Sequence, residues 1–383
     1  MDICMLNPFY HPYQGGTEKH LYEVCRRLSK KHDVTVITSK LPGTKSFEFS
    51  EGVNVVRVDT LVLYKLPHFL PPPIPLSPFF LSRLLDEVND HEIFHMHNRF
   101  FYNLVDVAII KKLGGKTLGL TLHNARTQGI APSTDFIGKF YDDFLGKEIM
   151  RRCDALAAVS RNTLELTAPK EFHGRARILY NGVDVDKYKP SNKEGDIRKK
   201  YGLPEGRFIF SVARLQPQKG YDYLLEAFAE ISKKHKDVSL VILGRGPMEG
   251  ELKKKCFELK IYDKVFFITQ KLDEDDVSKL YAACELFALP SKWEPFGMVF
   301  AEAMSSGKPT IGTRIGGIPE IITPGTGLLC EPCSSKDLAE KIDFVLSNPK
   351  AGRRFGLEGR KRVAKVFTWE NAVKGYEAMY KGI

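Results

Sequence analysis

Short apolar runs alternate with polar, helix-period stretches along the 383-residue chain. Asp2–Leu6, Val34–Thr38, Val53–Val58, Glu92–His97, the TLGLTL run ending at His123 and Asp154–Ser160 are each too short for a buried helix. They read as strands covered on both faces. The pattern returns at Phe208–Val212, Val238–Leu243, Lys264–Ile268, Leu286–Leu289 and Pro309–Gly312. Amphipathic segments such as Thr17–Lys31 lie between them, and this alternation implies parallel sheets flanked by helices. The polar run KPSNKEGDIRKKYGLPEG separates the two sets as a linker with a short helix. Two α/β domains are therefore expected, over 1–187 and 188–368. The stretch Leu61–Leu81 carries six prolines and cannot be one regular element.

Composition narrows the classes. A chain that is 43% hydrophobic and 27% charged is globular, and two domains of this size can each bury a substantial core. The net charge of +10 suits anionic partners, namely nucleotide sugars, acidic membrane surfaces or nucleic acid. With no zinc finger, RNP-like strand or basic tail, nucleic acid is not an expected partner. Seven scattered cysteines, with Cys330 and Cys333 as a lone C-x-x-C, point to a reduced, cytoplasmic protein rather than a disulfide scaffold. MDICMLNPF already reads as a strand, so no signal peptide is expected. No apolar run reaches the length that spans a bilayer.

The candidate chemistry centres on Ser291–Glu320. Glu294 and Glu302 are separated by Pro295 and Gly297, so only Glu302 shares the helix expected to open at Gly297 or Met298. Glu294 then faces the helix N-terminus, a natural anion site. Upstream, Arg214 and Lys219 follow a strand as two cations able to meet a diphosphate. Gly244 and Gly246 follow another strand, where bare backbone allows close ligand approach. Gly15 and Gly16 join the first strand to the Thr17–Lys31 helix, the opening of a Rossmann-like unit. They lack the G-x-G-x-x-G spacing, so no nicotinamide cofactor is indicated. His123 ends a strand, where ligands collect in a doubly wound sheet. His95 and His97 are expected to turn to opposite faces of their strand, and so not to chelate a metal together.

Glu294, Phe296, Gly297, Glu302, Ala303 and Met304 resemble the hallmark of retaining glycosyltransferase family 4, the glycogen-synthase-like group with the GT-B fold. That hallmark is a Glu, seven residues and a second Glu, usually E-x-F-G…E-A-M, and Asn181–Asp184 also matches the family's N-G-V-D. The resemblance covers nearly the whole chain. It implies two Rossmann-like doubly wound domains facing across a cleft, with 369–383 crossing back onto the first. It also implies transfer of a hexose, with retention, from a nucleotide diphosphate sugar to a hydroxyl acceptor. Glu294, His123, Arg214 and Lys219 are the catalytic candidates. Gly16, Arg214, Lys219, Gly244, Phe296, Gly297, Met298, Val299 and Glu302 fall on the donor side, and Gly15 and Gly16 on the acceptor side. Asn124 stands where the family often has an Asp.

No cofactor and no metal is expected beyond the donor substrate. The acidic triplets Asp273-Glu274-Asp275 and Asp184-Val185-Asp186 read as a helix start and a turn. Two other readings remain open. One is a glycoside phosphorylase or hydrolase using Glu294 and Glu302 as a carboxylate pair, which would not need a nucleotide sugar. The other is a non-catalytic sugar-nucleotide-binding protein, against which the intact set of charged residues argues.

The acceptor is open, with a lipid or glycan as candidates. On the Thr17–Lys31 helix, Lys19, Arg26 and Lys30 fall together, beside His20, Arg27 and Lys31. Leu21, Val24, Cys25 and Leu28 take the opposite face. That arrangement predicts one broad cationic surface for an anionic membrane, and a peripheral place on its inner face.

Overall fold

The computed structural model describes residues 1–63, 74–98, 104–113, 115–124, 132–191 and 194–382. They divide into two compact units, Met1–Asn181 with Trp369–Ile383, and Gly182–Thr368. The division falls at Asn181 rather than at the expected 187. Its cause is local: the Val183 N–H donates to the Phe367 carbonyl at 2.8 Å, and Val183 bridges Thr368. Gly182, Val183 and Asp184 of the N-G-V-D turn therefore belong with the second unit, and Asn181 with the first.

In the first unit, β1 (Asp2–Leu6), β2 (Asp33–Ser39), β3 (Phe47–Ser50), β4 (Val53–Val58), β7 (Ile93–His97), β8 (Thr117–Leu122), β9 (Ala155–Ala158) and β10 (Ala176–Ile178) form one sheet. Its order is β10-β9-β8-β7-β1-β2-β4-β3, parallel except where β3 meets β4. The chain leaves β1 toward β2 and later returns on its other side as β7. The carboxyl ends of β1 and β7 thus flank a topological switch point, where open α/β sheets bind ligands. A separate antiparallel pair joins β5 (Leu61–Leu63) to β6 (Ile74–Leu76). Residues 64–73 of the proline-rich run lie outside the described residues.

The second unit orders β11 (Arg207–Val212), β12 (Val238–Leu243), β13 (Val265–Ile268), β14 (Leu286–Leu289), β15 (Thr310–Thr313) and β16 (Leu328–Cys330) as β13-β12-β11-β14-β15-β16. Every neighbouring pair is parallel. Phe208, Phe210, Phe287 and Phe300 are fully buried around it. The switch point here lies between β11 and β14. Arg214 and Lys219 follow the first of these strands, and Glu294 follows the second.

Two expectations about charge and orientation are corrected. The first helix runs Gly16–Leu28, and its basic stripe is paired at Arg26, Arg27 and the following Lys31. His20 is fully buried, and Arg26 and Arg27 both bind the Glu23 carboxylate. Arg27 also reaches Glu370, and Lys31 and His32 reach Glu377. The Trp369–Tyr380 helix packs along that stripe and supplies both acids. His95 and His97, two residues apart on β7, point to the same face, as strand periodicity requires, with ring centroids 4.8 Å apart.

The acidic triplets both serve the backbone. Asp273 caps the Glu274–Ala283 helix by accepting from the Asp276 N–H, and Asp184 accepts from the N–H groups of Asp186 and Lys187. Cys330 is buried and Cys333 exposed, both as free thiols. Among the described residues, no helix is long and apolar enough to cross a membrane.

Candidate active site

The second unit builds its site from loops pinned through missing side chains. Gly297 takes a left-handed φ of 103° at the start of the Met298–Ser305 helix. A Cβ at Gly316 would lie 1.9 Å from the Glu294 carbonyl oxygen, so only glycine lets this loop pass beneath Glu294. The Gly317 N–H then donates to that carbonyl at 3.0 Å. On the other side, the Lys292 N–H donates to the Gln218 carbonyl at 2.7 Å. The Lys292 bond holds the loop after β11 against the loop after β14, and the Gly317 bond holds the loop after β15 against the latter. Lys219 Nζ thereby donates to Glu294 Oε2 at 2.7 Å, an ion pair still open to solvent, with side-chain exposures of 21% and 12%.

Glu302 sits one turn inside the helix and is buried. Its Oε2 accepts a hydrogen bond from the Tyr281 hydroxyl at 3.1 Å. Burial, followed by the Glu302 charge, pushes the Tyr281 hydroxyl up, so it stays a donor. Sequence reasoning missed Tyr281, since nothing in DEDDVSKLYAAC marks one position as a partner for a distant carboxylate.

Several expected donor contacts change meaning. Phe296 is buried with its ring against Phe367, so its side chain belongs to the core and only its backbone is available. A Cβ at Gly244 would lie 2.0 Å from the Ala213 carbonyl, and one at Gly246 would lie 2.2 Å from the Leu215 carbonyl. Those bare faces are filled by the Arg214 loop rather than left to a ligand. Arg214 itself is exposed, and Met298 and Val299 are half-buried at the helix start, where backbone N–H groups lack helical partners.

In the first unit, Gly15 caps the first helix and packs under the Glu18 carboxylate, whereas Gly16 is exposed with open space beside it. His123 is nearly buried, and its Nε2 lies 2.9 Å from His97 Nδ1. Around them, His20 Nε2 meets the Tyr376 hydroxyl at 2.9 Å, and His95 bonds Thr121 and Tyr380. Burial pushes His20 and His95 down to about 3 and holds His97 and His123 well below the usual histidine range. All four are neutral near pH 7. Asn124 donates to Asn98 Oδ1 at 3.0 Å, and Asn98 donates to Asn7 Oδ1 at 3.3 Å. Amides thus cross the carboxyl ends of β8, β7 and β1. A cavity of about 140 Å³, lined in part by Asn7, Thr38, Ser39, Thr60 and Asp106, opens beside them.

The family model described as Glycosyltransferase Family 4 matches residues 14–187, and that of Glycosyl transferases group 1 matches residues 193–362. The chain is 28% identical to the N-acetyl-alpha-D-glucosaminyl L-malate synthase of Bacillus anthracis, over 97% of this chain and 94% of that one. It is 25% identical to a GDP-mannose-dependent alpha-(1-6)-phosphatidylinositol monomannoside mannosyltransferase of Mycolicibacterium smegmatis, over 94% and 93%. Among solved structures, Anabaena HepE in complex with UDP and glucose superposes with a TM-score of 0.79 at 20% identity, each chain covered completely (100%). The first model ends and the second begins shortly after the division at Asn181. The chain is a glycosyltransferase of the two-domain GT-B fold, with a family 4 first part and a group 1 second part.

Proposed function

We propose that this glycosyltransferase moves a hexose from a nucleoside diphosphate sugar to an acceptor hydroxyl with retention, and without a metal bridging the diphosphate. The observation that carries the reading is the Lys219–Glu294 pair at 2.7 Å at the β11–β14 switch point. A diphosphate entering there draws Lys219 away from Glu294. The lysine then neutralises charge growing on the leaving group together with Arg214, and the first N–H groups of the Met298–Ser305 helix assist. Glu294, released from its partner, is free to bind the hydroxyls of the transferred sugar. Glu302, steadied by Tyr281, holds the ribose. His123 keeps the part the family resemblance gives it, a contact to the sugar.

The hydrolase alternative loses ground because Glu302 is buried and already committed to Tyr281. A carboxylate acting as general acid or base must instead reach the scissile bond. The names of the Mycolicibacterium relative and of the HepE complex favour a hexose donor carried on GDP or UDP and a lipid-linked acceptor. A thermal-shift series with UDP, GDP and ADP, each with and without chelator, tests the donor half. Stabilisation by one diphosphate that survives chelator is expected. A strict need for manganese or magnesium would overturn the metal-free part, and no response to any diphosphate would overturn the whole.

A further inference from the structure

The first unit's histidines offer a second kind of site. His20 stands on the first helix, His97 on β7 and His123 just beyond β8, so three separately anchored elements supply them. One ligand nitrogen from each lies within 4.8 Å of the others, and all three residues are buried. His97 Nδ1 and His123 Nε2 face each other across 2.9 Å and share one proton. Two nitrogens bound to zinc at about 2.0–2.1 Å in tetrahedral geometry stand about 3.3 Å apart. Replacing that proton by a metal ion therefore opens the pair only slightly, once the proton has moved to the far nitrogen of its own ring.

The third ligand is prepared as well. The Tyr376 hydroxyl donates to Thr121 Oγ1 at 3.2 Å, so it accepts from His20 Nε2–H at 2.9 Å. With that donor assignment the lone pair falls on Nδ1, which is buried beside the Asn181 side chain, whose hydrogen bond favours the charged ring. An outer hydrogen bond such as that to Tyr376 is what orients imidazole ligands in metal sites. We propose that His20, His97 and His123 form a binding site for one borderline divalent cation of the zinc class. Three imidazoles without a carboxylate select zinc, cobalt, nickel or copper over magnesium or calcium. This site is built from residues of the first unit, whereas the proposed diphosphate subsite is built from residues of the second. Resting on the role proposed for His123, the ion would withdraw that residue from the sugar and act as an inhibitor.

The test is a Co²⁺ titration of chelator-stripped protein. A saturable four-coordinate visible spectrum is expected, displaced by Zn²⁺, with three paramagnetically shifted imidazole N–H protons. His20→Gln and His97→Gln should each weaken binding at least tenfold. Absence of the spectrum, fewer than three imidazole protons, or unchanged binding in folded variants would overturn the site. The proton count needs only the natural sequence, so it decides even where a variant fails to fold. Turnover with stoichiometric Zn²⁺, with and without chelator, tests the inhibitory half separately. Reversible loss is expected, and metal binding without loss would overturn that half alone.

Discussion

The two units present the same switch-point topology with opposite electrostatics. In the second, charge is kept at the surface: Lys219 and Glu294 meet where a ligand can separate them, on loops that glycines allow to lie close. In the first, polar groups are taken out of water and held neutral, with His20 and His95 bonded to Thr121, Tyr376 and Tyr380, and His97 bonded to His123. A buried network of this kind is rigid when satisfied and costly when charged. One unit is built to exchange partners, the other to keep them.

Acid should separate the units most strongly. Each buried histidine binds a proton in the unfolded chain below about pH 6.5 but stays neutral when folded. Stability is therefore complete above that pH and is lost as pH falls, by up to about 1.4 kcal/mol per unit for each histidine. For His20 and His95 the loss continues until the folded groups protonate at about 3. Residues 182–368 contain only His235, which is paired with Asp343 near the surface. Hydrogen exchange between pH 7 and 5, with chelator present, should show the first unit opening first, and His95→Gln should flatten its slope. Equal loosening of both units would break the contrast.

Glu294→Ala comes next. Removing a group that stabilises the transition state costs about 10²–10³ in turnover. The same change frees Lys219, so affinity for the nucleoside diphosphate should hold or rise, while Lys219→Ala should lower it by about 1.5–3 kcal/mol. Isothermal titration beside steady-state kinetics checks both. If Glu294→Ala weakened the diphosphate as much as Lys219→Ala does, the exchange of partners would be wrong.

Tyr281→Phe should act less, and only through Glu302. It removes one hydrogen bond to a buried carboxylate, worth about 1.5–3 kcal/mol at most, without disturbing the ring packing. Affinity for the intact nucleotide should fall several-fold more than affinity for pyrophosphate, which has no ribose. Equal losses for both ligands would detach Glu302 from the ribose.

What the sequence made legible follows the same divide. The Glu294 loop, the helix beginning at Met298 and the glycines beneath them are close in the chain, and each glycine has a local steric reason to be there. The histidine network draws on positions 20, 95, 97, 121, 123, 376 and 380, and no periodicity links them. Helical spacing placed His20 beside Arg27 and Lys31, but it carried no information that the Trp369–Tyr380 helix covers that stripe and supplies Glu370 and Glu377. Gly244 misled for a similar reason, since a bare backbone face looks alike whether a ligand or Ala213 fills it. Phe296 sits inside the motif, yet its ring is spent on Phe367.

The smallest expected effect concerns lipid, and it turns on the same pairing of charges. Arg26, Arg27 and Lys31 along the first helix are engaged by Glu23, Glu370 and Glu377, so contact with a bilayer should depend little on anionic lipid or salt. The first unit instead exposes Phe136, Phe140 and Phe144 at four-residue spacing, with exposures of 70%, 58% and 65%. The rings of Phe140 and Phe144 lie 4.7 Å apart. Fully burying such a ring is worth about 1.5–3 kcal/mol, and seating it shallowly at headgroup depth keeps about half of that. Sedimentation with neutral and anionic vesicles, at low and high salt, should therefore give similar weak binding. Each Phe→Ser change should lower it several-fold. Binding that appears only with anionic lipid and vanishes in salt would return the contact to exposed cations and show that the ion pairs along the first helix open at a membrane. Absence of binding to either vesicle would leave the aromatic stripe without a lipid role.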